Sequence, residues 1–309
     1  VRSTPHPEVP EGWEAMQYLG LMAALFVLGA GISPVPGTSV AFAAPVSEST
    51  EPCRIETTGV TEEGEFEAAQ EDVERALAAC EAARSRFAEL FGDSVPDVSI
   101  VLWDNPRYRV GVRGESAVVF WPSSSTMAAL APSPEVARKH VAAQWREVLP
   151  HEIAHVLLAV RFFADDTGVS HDGYGTPLPD WLDEAIAIWA EPPASRRERI
   201  AYARALPDKW LDLETILSMS HPAANNSAAY TARDGTAAAP DRALWAFYQQ
   251  SIAVLAFVHD AGGPEAVQEL VRRLVADPDD PNALAGLPGL PEDFVDVLTA
   301  WSEWVEGEP

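Results

Sequence analysis

Positive charge is scarce in this chain. Lysine occurs only at Lys139 and Lys209, and Lys and Arg together number 21 against 47 Asp and Glu, a formal net charge of -26 over 309 residues. This deficit excludes the basic footprint that phosphate backbones and anionic membrane surfaces require, so no nucleic-acid partner is expected. Internal repeats and glycine-rich phosphate loops are absent too, which removes solenoids and P-loop enzymes. Cysteine is limited to Cys53 and Cys80. Neither lies near the export signal described next, so a lipid-anchored cysteine is not expected.

Charge of either sign is missing between Glu14 and Glu48. Within that gap Tyr18–Ile32, YLGLMAALFVLGAGI, has the length of a signal-peptide apolar region. Pro34, Pro36 and Gly37 then break it, and AFAAP offers a small-residue cleavage site at Ala41–Ala43. The segment before it fits less well, because Glu8, Glu11 and Glu14 outnumber Arg2; a start at Met16 would remove that conflict. Residues 1–43 are therefore expected to be a cleaved signal peptide. The alternative is an uncleaved anchor over residues 16–32, the one route to a membrane. Export to the periplasm, cell surface or medium follows in either case. In that setting an even cysteine count points to a disulfide, with two buried thiols as the alternative.

What is present is a hydrophobic fraction of 47%, ample for a core. CRIETTGV reads as a first strand. Phe66–Phe91 reads as an amphipathic helix with Phe66, Ala69, Val73, Leu77, Cys80, Phe87 and Phe91 on one face and Gly92 as its cap. Asp97–Trp103 and Ser116–Trp121 are β-branched runs of buried-strand type, and the neighbouring YRVGV is a pairing partner for the second. Helices are then expected over Glu135–Val148, His151–Phe163, Asp180–Glu191, Arg196–Leu206, Asp212–Met219, Asp241–Asp260, Pro264–Val275 and Pro291–Val305. Pro150 either starts a helix or kinks one. The fold class is α+β, with a strand–helix part over residues 44–165 followed by a helical part over residues 166–309.

The stretch at that junction, Leu149–Val160, reads LPHEIAHVLLAV. At about 100° per residue, His151 and His155 fall within about 40° of each other, while Glu152 lies about 60° beyond His155. Two imidazoles on one face can grip a single ion, and Glu152 is placed to reach a water on it rather than to bind the ion itself. The apolar run Val156–Val160 marks a buried helix, in which histidines need partners. A third ligand is sought among acids held on apolar faces. Glu184, in LPDWLDEAIAIWAE, shares a stripe with Trp181 and Ile188, where a carboxylate is costly unless paired or metal-bound. A buried salt bridge to an arginine is the competing reading of Glu184. Asp183 points away, either behind the ligands or to solvent. His171, in a Gly-rich loop, is a rival third ligand, whereas His140, His221 and His259 have no spacing that brings them to the site.

H-E-x-x-H followed about thirty residues on by a W-L-x-E helix resembles the gluzincin zinc metallopeptidases. It is most similar to the bacterial peptidase MA-like proteins, whose third ligand lies in a W-L-x-E-G-x-A segment. The resemblance spans roughly residues 141–260 and departs at Ala185, where glycine is usual. It implies a zincin-like domain over residues 44–309, with Zn2+ held by His151, His155 and Glu184 and with Glu152 as base. It also implies a peptide or protein substrate. Tyr248-Gln249-Gln250-Ser251 is similar to the Y-x-[KQ]-[GS] helix start of gluzincin aminopeptidases, which gives Tyr248 an oxyanion role. Core filling is the other reading of Tyr248, and Tyr230 is a rival for the role. No G-A-M-E-N-like run occurs, so aminopeptidase activity is not expected. Ser116–Trp121 is expected to be the strand edge on which a substrate lies. The alternative to an exported endopeptidase-like hydrolase is an inactive binding or structural descendant. The intact quartet of His151, Glu152, His155 and Glu184 argues against that alternative.

Overall fold

The computed structural model describes residues 52–61, 64–106, 108–113, 116–163, 176–205, 210–221 and 240–307, all within the unit Thr50–Pro309. The expected leader at residues 1–43, His171, Tyr230 and most of the two long loops lie outside the described residues. Among the described residues no helix is long and apolar enough to cross a membrane.

Alternating apolar residues build the sheet. Strands β1 (Cys53–Glu56), β4 (Asp97–Trp103), β5 (Arg109–Arg113) and β6 (Ser116–Pro122) form one sheet in the order β1-β4-β6-β5. β1 and β6 run parallel to β4, and β5 runs antiparallel to β6. Val98, Ile100 and Leu102 of β4 pair with Ala117, Val119 and Trp121 of β6, and all six are buried. This is the period of two that puts alternate residues on one face. β2 (Thr58–Thr61) and β3 (Gly64–Glu67) form a separate antiparallel hairpin.

Two expectations need correction here. Ser116–Trp121 is no edge, because β6 has β4 on one side and β5 on the other; the edge beyond β6 belongs to β5. A fully apolar strand buried on both flanks is what a central position selects. The first helix, α1, covers Gln70–Phe91, so Phe66 belongs to β3. Its buried face is Ala76, Ala79, Cys80, Ala83, Phe87, Leu90 and Phe91, and Leu77 is exposed. Alanine stripes carry little hydrophobic signal, so the large residues misplace the face by about one position.

The short α2 (Ser124–Ala129) was not expected from the sequence. A longer helical run follows: α3 (Pro134–Ala143), a π-helical turn at Gln144–Val148, and α4 (Leu149–Phe163). Pro150 therefore distorts a continuous helix rather than starting one. Proline has no N–H to donate and its ring crowds the preceding turn, and widening that turn relieves the clash. Then come α5 (Asp180–Ala190), α6 (Pro193–Ala205), α7 (Leu213–Ser218), α8 (Pro240–Ala276) and α9 (Phe294–Glu306). α8 is broken at Gly263, whose φ of 67° is a left-handed value that favours glycine. The expected pair of helices meeting at Pro264 is thus present.

α4 packs against β6, β5, α1 and α5, and α8 covers α5. Leu149, Ile153, Leu157 and Leu158 of α4 and Leu182, Ala185 and Ile188 of α5 are all fully buried. The architecture is α+β and mostly helical, with one small sheet. Cys53 and Cys80 form a disulfide that ties β1 to α1 across 27 positions of sequence. Closing such a loop stabilises the fold by about 3–4 kcal/mol in the chain-entropy picture. Replacing both cysteines by serine should lower the urea midpoint correspondingly and abolish its sensitivity to reductant. An unchanged midpoint would mean that the bridge contributes nothing.

Candidate metal centre

Helix α4 aims two imidazoles at one point. His151 Nε2 and His155 Nε2 are 3.1 Å apart, with the rings edge to face at a centroid distance of 4.8 Å. Across from them α5 presents Glu184, one oxygen 3.4 Å from His151 Nε2 and the other 4.0 Å from His155 Nε2. Bonds of 2.0–2.1 Å to a tetrahedral zinc ion separate its ligand atoms by about 3.3 Å. The two Nε2 atoms and the nearer Glu184 oxygen on His151 approach that spacing, and His151, His155 and Glu184, whose ligand atoms lie within 4.8 Å of one another, form a group that could hold a metal ion.

Each imidazole is steered from behind. His155 Nδ1 lies 2.6 Å from an Asp183 oxygen, and the other Asp183 oxygen accepts the Thr176 hydroxyl at 2.7 Å. His151 Nδ1 lies 3.2 Å from Glu191, which Arg199 holds at 3.0–3.2 Å. A carboxylate accepting Nδ1–H selects the tautomer whose Nε2 lone pair points into the centre. Glu184 is 0% exposed, and among the described residues only the two imidazoles approach its oxygens, without regular hydrogen-bond geometry. Among the described residues it has no arginine partner; its ion-pair partners are the two imidazoles. A buried carboxylate left in that state requires a cation.

Protonation follows the same logic. Burial works against charge on His151, but Glu184 and Glu191 outweigh it and hold its pKa at about 10. Burial opposes a charged His155 as well, and Asp183 overrides it. For Glu184 burial favours the neutral acid, yet the two imidazoles draw its pKa below the carboxylate range. In the metal-free chain a proton serves as the cation at this point.

Glu152 is buried and does not join the triangle. Burial raises its pKa, which suits a proton acceptor working near neutrality. Tyr108, just ahead of β5, lies beside Glu152, whose charge pushes that phenol well above its ordinary pKa. Tyr248, on α8, has its hydroxyl 3.0 Å from His221 Nε2. His221 lies in electrostatic range of Glu184, and Tyr248 in range of Tyr108.

No protein-family model, curated protein or solved structure matches this chain. The centre is therefore read from its own residues.

Asp183 stands behind His155 rather than facing solvent. His221 is not one of the three clustered ligands; the turn after α7 sets it against Tyr248, and its backbone N–H donates to Asp180. Glu191 and Tyr108 escaped notice. Glu191 carried a usable signal, since it is a second acid at i+7 from Glu184 and so on the same side of α5. Tyr108 carried none beyond being an aromatic at the head of a strand.

Glu184→Ala is expected to abolish stoichiometric zinc binding, and Asp183→Asn to weaken it about 10–100-fold. Competition with a chromogenic chelator measures both. Because the metal must displace the proton held on His151, affinity should rise with pH across the neutral range and zinc uptake should release protons. Calorimetry in buffers of different ionisation enthalpy reads that release; heats independent of buffer would contradict the proton-filled centre.

Proposed function

We propose that this protein is an exported zinc-dependent hydrolase of peptide bonds, built on a zincin-like domain of gluzincin type. One observation carries the reading: a fully buried carboxylate, Glu184, faces two imidazole Nε2 atoms within 4.0 Å and has no other polar partner among the described residues. His151, His155 and Glu184 would hold the ion, leaving room for water. Zinc in such a site supplies Lewis acidity and water acidified toward neutrality.

The remaining steps belong to the chain. Glu152, with its raised pKa, takes a proton from the attacking water and passes it to the leaving amine. The Tyr108 hydroxyl fixes the bearing of that carboxylate. The Tyr248 hydroxyl, 3.0 Å from His221 Nε2, would donate to the oxyanion that forms as the carbonyl is attacked. The edge of β5, which pairs with no strand among the described residues, lies beside α4 and suits an extended peptide backbone. The Cys53–Cys80 disulfide accords with an oxidising, extracytoplasmic setting.

Casein cleavage that a chelator abolishes and zinc restores is the primary test. Glu152→Gln should retain zinc and lose activity by about a thousandfold or more, whereas Tyr248→Phe should lower kcat by about 10–100-fold at unchanged zinc content. Full turnover by the Glu152 variant would sink the assignment of the base. Zinc-loaded protein that cleaves nothing across a proteome-derived peptide library would favour a binding role for the same fold.

A further inference from the structure

The sheet meets the metal centre at the start of β5. Tyr108, the residue before this strand, lies beside Glu152, and β5 packs against α4. Successive residues of a strand face opposite sides of the sheet. Tyr108, Val110 and Val112 therefore share the side turned to α4: Tyr108 meets the buried Trp121 ring, and the two valines pair with the buried Val119 and Ala117 of β6. Arg109 belongs to the opposite side. It pairs with Phe120 of β6, which pairs in turn with Val101 of β4, so these three residues form one row across the sheet. Among the described residues the row ends at Arg109, because β5 is the edge strand.

Arg109 is exposed, and among the described residues no carboxylate partners it. By contrast, Arg54, Arg75, Arg146 and Arg199 each reach an acid of the same chain. In a chain with 47 Asp and Glu against 21 Lys and Arg, a cation left without an acid is conspicuous. Its guanidinium carbon lies 5.7 Å from the centre of the Trp103 ring. Such a contact fixes the direction of the group and leaves its charge unneutralised.

We infer that Arg109 selects an acidic side chain in the substrate, the Glu or Asp of a peptide strand laid along β5 that falls opposite Arg109 and continues the row. The inference rests on the proposed peptide hydrolase. Residues directly opposite in a strand pair bring their Cβ atoms to about 4.5–5.5 Å, within reach of a carboxylate–guanidinium contact. The planar fork of arginine suits that contact. Alternation gives the selection a register: peptide residues on either side of the acid turn toward α4 and do not meet Arg109. Since Tyr108 adjoins the proposed base, the selected position lies close to the bond that is cut. The net charge of the whole chain favours basic peptides instead, and the test separates the two.

The first readout is kcat/KM of the zinc-loaded chain on a decapeptide library in which one position at a time is fixed as Glu, Gln or Lys. At one position relative to the cleaved bond Glu should exceed Gln by about two- to fivefold, with no gain at either neighbour. Arg109→Gln should erase that preference, and Arg109→Glu should turn it toward Lys. The second readout needs no turnover: fluorescence anisotropy of zinc-treated Glu152→Gln with labelled decapeptides of Thr, Val and Ser carrying a single Glu, Gln or Lys. The same order of affinities is expected, lost when Arg109→Gln is added. If the wild-type chain cleaves nothing, the hydrolase reading fails and the binding order still decides the role of Arg109. Equal values for Glu and Gln, a preference for Lys, or a Glu preference that survives Arg109→Gln would overturn the inference.

Discussion

One carboxylate organises this molecule. Glu184, on α5, is buried to the last atom, and among the described residues only the two imidazoles are there to offset the loss of water. Several kcal/mol of desolvation go uncompensated unless positive charge sits at its oxygens. The two Nε2 atoms beside it can hold a proton or accept a metal, and the structure supports them for that task. Asp183 and Glu191 accept the opposite ring nitrogens, and Arg199 and Thr176 in turn hold those acids. The chain thus gathers four buried carboxylates, counting Glu152, around two imidazoles. A protein core accepts that density only where a cation is part of the design.

The fold serves this constraint. α4 lies against the sheet and carries the imidazoles, and α5 lies against α4 and carries the carboxylate. The π-helical turn ahead of Pro150 adds a residue to the helix one turn before His151 and so sets the angle at which that ring enters the centre. At the other end of α5, Pro192 and Pro193 stop the helix at the point where Glu191 turns back to His151. The disulfide fastens α1, which packs on both α4 and α5, to the edge of the sheet.

Much of this was legible in the chain. Helical spacing placed His151, His155 and Glu152, and an acid on an apolar stripe identified Glu184, because both inferences rest on local periodicity. The α+β order was readable for the same reason. What could not be read depended on long-range packing. Nothing in the sequence says that β5, rather than β6, takes the edge, since both are short apolar runs joined by a tight connection. His221 and Tyr108 arrive from separate loops, and the buried face of α1 is made of alanines that hydropathy barely registers. Glu191 was within reach, because its i+7 relation to Glu184 is visible, but it sits beside two prolines and reads as a terminus rather than a support.

X-ray absorption at the zinc edge of the purified, zinc-loaded chain tests the central claim most directly. The account predicts one zinc per chain with two imidazole nitrogens and carboxylate or water oxygen at about 2.0–2.1 Å, and loss of one imidazole contribution in His155→Ala. Failure to load stoichiometric zinc, or a shell that is the same in His155→Ala, would contradict it.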